Sequence, residues 1–103
     1  MIVVYASNKL EKLCTSDREM RRQRADIAGK LKLRLKALEA ASSVEELPEQ
    51  DPLGRWHPYK GDRVGEWSGD VSRNWRLIVR EVPGEAAAVC VEVVELWDPH
   101  KRP

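Results

Sequence analysis

The sequence has no run near the roughly 18 apolar residues a membrane-spanning helix requires. It also lacks the glycine-rich signatures of Rossmann and P-loop nucleotide-binding proteins, and it is too short for a TIM barrel. Its two cysteines, Cys14 and Cys90, stand far apart and form no CxxC or Cys/His metal spacing. They read as core thiols of a reducing cytoplasm, and no metal or cofactor is expected. The first residues, Met1 to Tyr5, carry neither the basic start nor the long apolar stretch of a secretory signal, so export is not expected. What remains is 103 residues, 42% hydrophobic and 34% charged. This composition is too apolar for a disordered chain, and the length suits one domain over residues 1–103.

The net charge of +1 conceals segregation. Residues 1–40 and 53–80 are basic, whereas 41–52 and 81–103 are acidic. A neutral total with two basic segments fits a protein that meets a polyanion on one face, although scattered solvated charge produces the same totals.

Residues 1–5 are β-branched and aromatic and read as a short strand. Asn8 with Glu11, and Ser16 with Glu19, are spaced like capping boxes. Behind the second, Met20, Ile27, Ala28, Leu31, Leu35, Leu38 and Ala41 fall on one helical face, with Arg21, Arg22, Lys30, Lys32 and Lys36 on the remaining surface. Residues 7–41 are therefore expected to form a two-helix hairpin, a short helix and a long one containing Gly29. Ser42 to Pro52 is an acidic connection. Trp56 to Tyr59 starts an extended piece, Gly61-Asp62 and Gly65 mark a turn, and Trp75 to Val82 reads as a strand. A turn at Pro83-Gly84 and a strand from Ala88 to Leu96 follow. Helices followed by hairpins make an α+β fold with a mostly antiparallel sheet.

In the strand after Trp75, Arg76, Ile78 and Arg80 share one face and Leu77 and Val79 the other. The Leu77/Val79 face is the natural core side, so both arginines belong to the open face. His57, Lys60 and Arg63 lie just upstream, and such cations on one sheet face suit a phosphate chain. Trp56, Tyr59 and Trp67 offer planes on which unpaired bases stack. The plain structural readings are an exposed loop histidine at 57, a cross-strand ion pair for Arg80, and core roles for Trp67 and Trp75. RNA cleavage needs no metal: its 2′-OH attacks the adjacent phosphate once a base takes the proton, cations stabilise the added charge, and an acid protonates the leaving oxygen. His57, His100, Lys60 and Arg76 are a minimal kit for that chemistry.

The run HPYKGDRVGEWSGDVSRNWRLIV, residues 57–79, closely resembles the central segment of HigB-type toxins in the RelE/ParE superfamily of type II toxin–antitoxin modules. The helical hairpin, the acidic Val44-Glu45-Glu46-Leu47 link and the closing VCVEVVELWDPH strand fit the same layout, so the resemblance covers nearly the whole chain. It implies a RelE-like fold (short N-terminal strand, two-helix hairpin, mostly antiparallel sheet) and a metal-independent, ribosome-associated mRNA endonuclease. The implied partner is a helix-turn-helix, HigA-type antitoxin through which the complex binds operator DNA. Matched by position, His57, Lys60, Arg76, Asp98 and His100 are the implied catalytic residues, while Arg63, Trp56, Tyr59, Arg80 and Lys30 are candidate RNA contacts. Family members commonly end in Asp-Tyr-His; here Pro99 replaces the tyrosine and Lys101-Arg102-Pro103 extend the chain. A ParE-like, non-catalytic gyrase poison and a degenerate toxin that only binds its antitoxin remain as alternatives. The His/Lys/Arg set favours the nuclease, since a gyrase binder needs no acid and base.

Overall fold

The computed structural model describes residues 1–83 and 89–100. The turn expected at Pro83-Gly84, a strand start at Ala88 and the Lys101–Pro103 extension reach outside the described residues.

The chain opens with β1 (Ile2–Tyr5), then α1 (Asn8–Thr15), α2 (Asp17–Arg24) and α3 (Ala28–Ala40). Ser7 and Ser16 begin the first two helices: each Oγ accepts from a backbone N–H three residues on, of Leu10 and Glu19. Ser16, with Glu19 three residues on, is thus a working N-cap, whereas the first cap is Ser7 and not Asn8. The expected long helix is broken at Ala25–Ile27. Between Met20 and Ile27 the sequence offers no large apolar side chain, so the turn Arg21–Arg24 has nothing to bury. Arg24 instead pairs with Asp26 at 3.2 Å and lies over the Trp75 ring, 4.1 Å from its centroid. The apolar spacing keeps its phase across the break, which is why periodicity alone reads through it.

The acidic link folds into short turns at Val44–Glu46 and Pro52–Gly54 around the one-turn helix α4 (Leu47–Gln50). Four strands follow: β2 (His57–Pro58), β3 (Glu66–Asp70), β4 (Arg76–Val82) and β5 (Cys90–Trp97). The sheet order is β1-β5-β4-β3-β2, with β1 parallel to β5 and every other pair antiparallel. The α+β architecture expected from the sequence is thus the one observed, with three helices over residues 7–41 where two were expected.

The period-2 split of the sheet holds. Trp67, Leu77, Val79, Val91, Val93 and Leu96 pack with the helices through Leu31, Leu35 and Leu38. The opposite face carries His57, Ser68, Asp70, Arg76, Ile78 and Arg80, brought into register by the β2–β3–β4 pairings. A bulge between Ile78 and Val79 restores the inward phase of Val93 and Val91 on β5. Ile78 lies on the open face and is nonetheless fully buried, which gives that face a solid floor.

Candidate active-site groove

Arg55 is the hinge from which the site is built. It is the non-glycine residue with positive φ among those described (φ 47°), a left-handed turn that costs about 1–2 kcal/mol. That turn sends Trp56 into the core and His57 onto the sheet edge. Trp56 is 3% exposed, and its indole N–H donates to Asp51 Oδ2 at 2.9 Å. Gly54 and Gly69 leave the space it fills: a Cβ would stand 2.4 Å and 2.6 Å from the ring, respectively. Trp56 is therefore not available as a platform for bases, contrary to expectation. Its tight seat fixes the neighbouring histidine.

His57 pairs in register with Ser68, and its Nδ1 lies 2.9 Å from the Arg55 carbonyl. A carbonyl only accepts, so Nδ1 carries the hydrogen and the neutral ring presents Nε2 as a proton acceptor. Arg76 pairs in register with Asp70, and its Nε lies 3.1 Å from Asp70 Oδ1. Its Nη1 donates to the carbonyls of Ser72, Arg73 and Trp75 at 2.8, 3.2 and 3.2 Å. Nη2 makes no hydrogen bond among the described residues. The guanidinium is thus hydrogen-bonded through Nη1 and ion-paired through Nε, and Nη2 is left to donate elsewhere. Arg55 approaches the same carboxylate at 3.9 Å, so two guanidinium groups share one acid and leave an excess of positive charge.

These residues enclose an open groove of about 410 Å³ lined by Arg55, His57, Tyr59, Ser68, Asp70, Arg76 and Pro99. Ser68 Oγ is buried and has no hydrogen-bond partner among the described residues. An orphaned buried hydroxyl costs about 1–3 kcal/mol, and a ligand oxygen in the groove would satisfy it. Beside the groove, His57, Tyr59 and Trp97 form a tilted ladder with ring centroids 6.1 and 5.8 Å apart.

Of the sequence-derived site residues, His57, Tyr59 and Arg76 share the groove. Lys60 is exposed at the start of the Gly61–Arg63 turn and does not line it. Asp98 is buried, with Oδ1 accepting from the His100 N–H at 2.8 Å, so its carboxylate holds the turn that carries Pro99 to the groove wall. His100 is exposed one residue beyond. Arg63 is not a free cation. It pairs with Glu66 and Glu95 and lies over Tyr59 and Trp97, 5.6 and 5.0 Å from their centroids. Burial pulls its pKa down, but the hydrogen bonds to both glutamates outweigh this and leave it raised. Arg80 is in the cross-strand ion pair foreseen as its plain reading, 2.7 Å from Glu92. Both arginines brace the sheet and do not extend the groove. Lys30 lies on α3, away from the groove. Sequence reasoning missed Arg55, Ser68 and Asp70, because strand register is what brings them to His57 and Arg76.

No protein-family model matches the chain. A 53-residue stretch is 42% identical to Endoribonuclease HigB of Proteus vulgaris, covering 52% of this chain and 55% of that protein. The match thus spans about half the length of that curated relative. Among solved structures, the YoeB/ParE toxin from Agrobacterium tumefaciens superposes with a TM-score of 0.60 at 18% identity, over 97% of this chain and 100% of that one. The YoeB-YefM complex from Staphylococcus aureus matches with a TM-score of 0.60 at 11% identity, over 98% of both chains. These likenesses establish the fold.

Proposed function

We propose that this chain, similar in sequence to a HigB endoribonuclease and built on the fold of the YoeB/ParE toxins, is the toxin of a type II toxin–antitoxin module and cleaves mRNA without a metal ion. The observation that carries the reading is Arg76: anchored through Nε and Nη1, open through Nη2, in a groove shared with His57. A cation so held needs no reorganisation to meet charge that grows on a phosphate.

In this mechanism His57 Nε2 takes the proton of a ribose 2′-OH. The 2′-oxygen bonds to the adjacent phosphorus, and Arg76 with Arg55 carries the added negative charge. The bond from phosphorus to the 5′-oxygen breaks, and His100 delivers a proton to that oxygen. The products are a 2′,3′-cyclic phosphate and a 5′-hydroxyl. Ser68 Oγ donates to a non-bridging phosphate oxygen, and Tyr59 offers a ring to the flanking base. Lys60, exposed at the start of the Gly61–Arg63 turn and outside the groove, draws in the backbone electrostatically.

The partner in this reading is an acidic, helix-turn-helix antitoxin of the HigA type. Support comes from an apolar groove of about 410 Å³ formed by Leu10, Leu13, Trp75 and Leu96, with Lys9, the Asp26-paired Arg24 and one acid, Glu95, at its rim. The ribosome is the setting in which the groove receives mRNA, and the antitoxin carries operator DNA binding. The test is incubation of the purified protein with single-stranded RNA, with and without ribosomes, in the presence of a chelator. Fragments ending in 2′,3′-cyclic phosphate support the reading. RNA left intact in both settings, or fragments ending in 5′-phosphate, contradicts it.

A further inference from the structure

A second cavity, of about 380 Å³, lies across Asp70 from the groove, between α3, Leu53 and the turn from β3 to β4. Its walls combine two chemistries. Leu33, Leu53 and Val71 give an apolar floor, and the first two are strongly exposed at 55% and 78%. Lys30 and Arg73 stand at the rim, both exposed and neither paired with an acid among the described residues. Between them lies Arg34, 5% exposed and the most deeply buried charge described. Its Nη1 is 3.3 Å from Asp51 Oδ1, too poorly aligned to count as a hydrogen bond, and its Nε has no partner at all among the described residues.

A buried guanidinium with idle donors is costly, and natural proteins seldom leave one unless a ligand completes it. Asp51 answers its charge but not its hydrogen bonds: Oδ1 stands near Nη1 out of alignment, and Oδ2 is turned to the Trp56 indole. Asp70, the acid that lines the cavity, is held on the groove side by Arg76. The cavity therefore calls for a ligand with a flat apolar body, acceptor atoms along one edge and a negative group outside. A nucleotide has all three.

We infer that this cavity is a second nucleotide subsite, seating the neighbour of the nucleotide whose phosphate lies in the groove. The inference rests on the RNA-cleaving reading and adds a place for substrate outside the reacting bond. The base lies on Leu33, Leu53 and Val71 with an acceptor on its edge facing Arg34. The phosphate that joins it to the groove passes Arg73, at the end of the same hairpin turn whose backbone carbonyls clamp Arg76. Lys30 meets the outer phosphate. Asp70 forms the partition between the two compartments. The site thereby gives the protein a preference for base identity one nucleotide away from the cleaved bond.

The test uses labelled single-stranded RNA carrying one 2′-deoxy nucleotide at the cleaved step, so that binding is read without turnover. Two further oligonucleotides lack the outermost nucleotide on either the 5′ or the 3′ side. The parent protein is expected to bind one shortened RNA about tenfold more weakly than the full one, the scale of one stacked base and its phosphate. In Leu53→Ser, and in Lys30→Ala with Arg73→Ala, that discrimination is expected to shrink to within about twofold. These residues are exposed, so the variants keep the fold; thermal unfolding verifies it. Discrimination undiminished in both variants, while the parent still cleaves unmodified RNA, overturns the subsite alone. A parent that neither binds nor cleaves RNA overturns the reading beneath it as well. Variants that lose affinity for the antitoxin and keep full discrimination among RNAs would assign the cavity to a protein partner and overturn the inference.

Discussion

Asp70 and Arg76 face each other across the β3–β4 hairpin, directly paired in register, with Nε of one 3.1 Å from Oδ1 of the other. The pair fixes the direction of the guanidinium, and the carbonyls of the intervening turn fix its rotation. Arg76→Ala is expected to lower the single-turnover cleavage rate about 10²–10³-fold, the loss typical of one preorganised charge-stabilising donor. Asp70→Asn should lower it by a smaller factor, because Nη1 keeps its three carbonyl partners. Equal losses in the two variants would mean that Asp70 itself takes part in the chemistry.

His57→Gln should cost about 10²-fold and flatten the acidic limb of the pH–rate profile, as expected for removal of a base. His100→Gln should cost a similar factor and flatten the alkaline limb. Rates measured from pH 5 to 9 separate the two. A profile unchanged in shape by either substitution contradicts the assignment.

Ser68→Ala removes a hydroxyl that is buried without a partner among the described residues. Without a ligand the change should be neutral or stabilising, since a desolvated polar group disappears. Cleavage should nonetheless fall, by about tenfold, if that hydroxyl donates to substrate. Unfolding and cleavage thus move in opposite directions, a pattern that a merely structural serine would not produce.

A buried thiol and a half-buried phenol set the alkaline limit of stability. Burial raises the Cys14 thiol from 9.0 to about 12. Burial, with neighbouring Cys14, Glu39 and Glu11 adding to it, raises the Tyr5 hydroxyl from 10.0 to about 12. A folded pKa above the unfolded one gives stability that is complete below the unfolded value and lost as pH rises through the folded one. Urea midpoints should therefore hold to about pH 9 and fall between pH 9 and about 12. Tyr5→Phe should soften the fall above pH 10. An identical decline in parent and variant would contradict this origin.

Gly69→Ala places a methyl 2.6 Å from the Trp56 ring and should destabilise by about 1–3 kcal/mol, the usual cost of overpacking. Cleavage should fall as well, because the displaced indole is next in sequence to His57. A chain as stable as the parent would mean that Trp56 is seated less tightly than its contacts require.

The alternation of Arg76, Ile78 and Arg80 against Leu77 and Val79 was legible because strand period is strict. It puts Arg76 on the open face, where the β3–β4 register also has it. Other features depend on contacts distant in sequence. The helix break left a faint mark, the apolar gap between Met20 and Ile27, which is hidden because Met20, Ile27, Leu31 and Leu38 stay in phase across it. Trp56 was misread because an aromatic ring beside a histidine looks the same whether it faces solvent or core. The signal lay in Gly54 and Gly69, whose missing side chains make its room. Arg34 was overlooked, although its place three residues after Leu31 and four before Leu38 sets it on the apolar face. The parallel pairing of β1 with β5 joins the two ends of the chain, and no local pattern announces it.

The central claim, that an RNA 2′-OH is activated in the His57–Arg76 groove, is tested most directly by single-turnover cleavage of an RNA in which only the scissile nucleotide is 2′-deoxy. The account predicts that the parent protein binds this RNA and leaves that bond intact, while cutting the all-ribose version at the same position in the presence of chelator. Cleavage of the deoxy-substituted bond at the parent rate would contradict it.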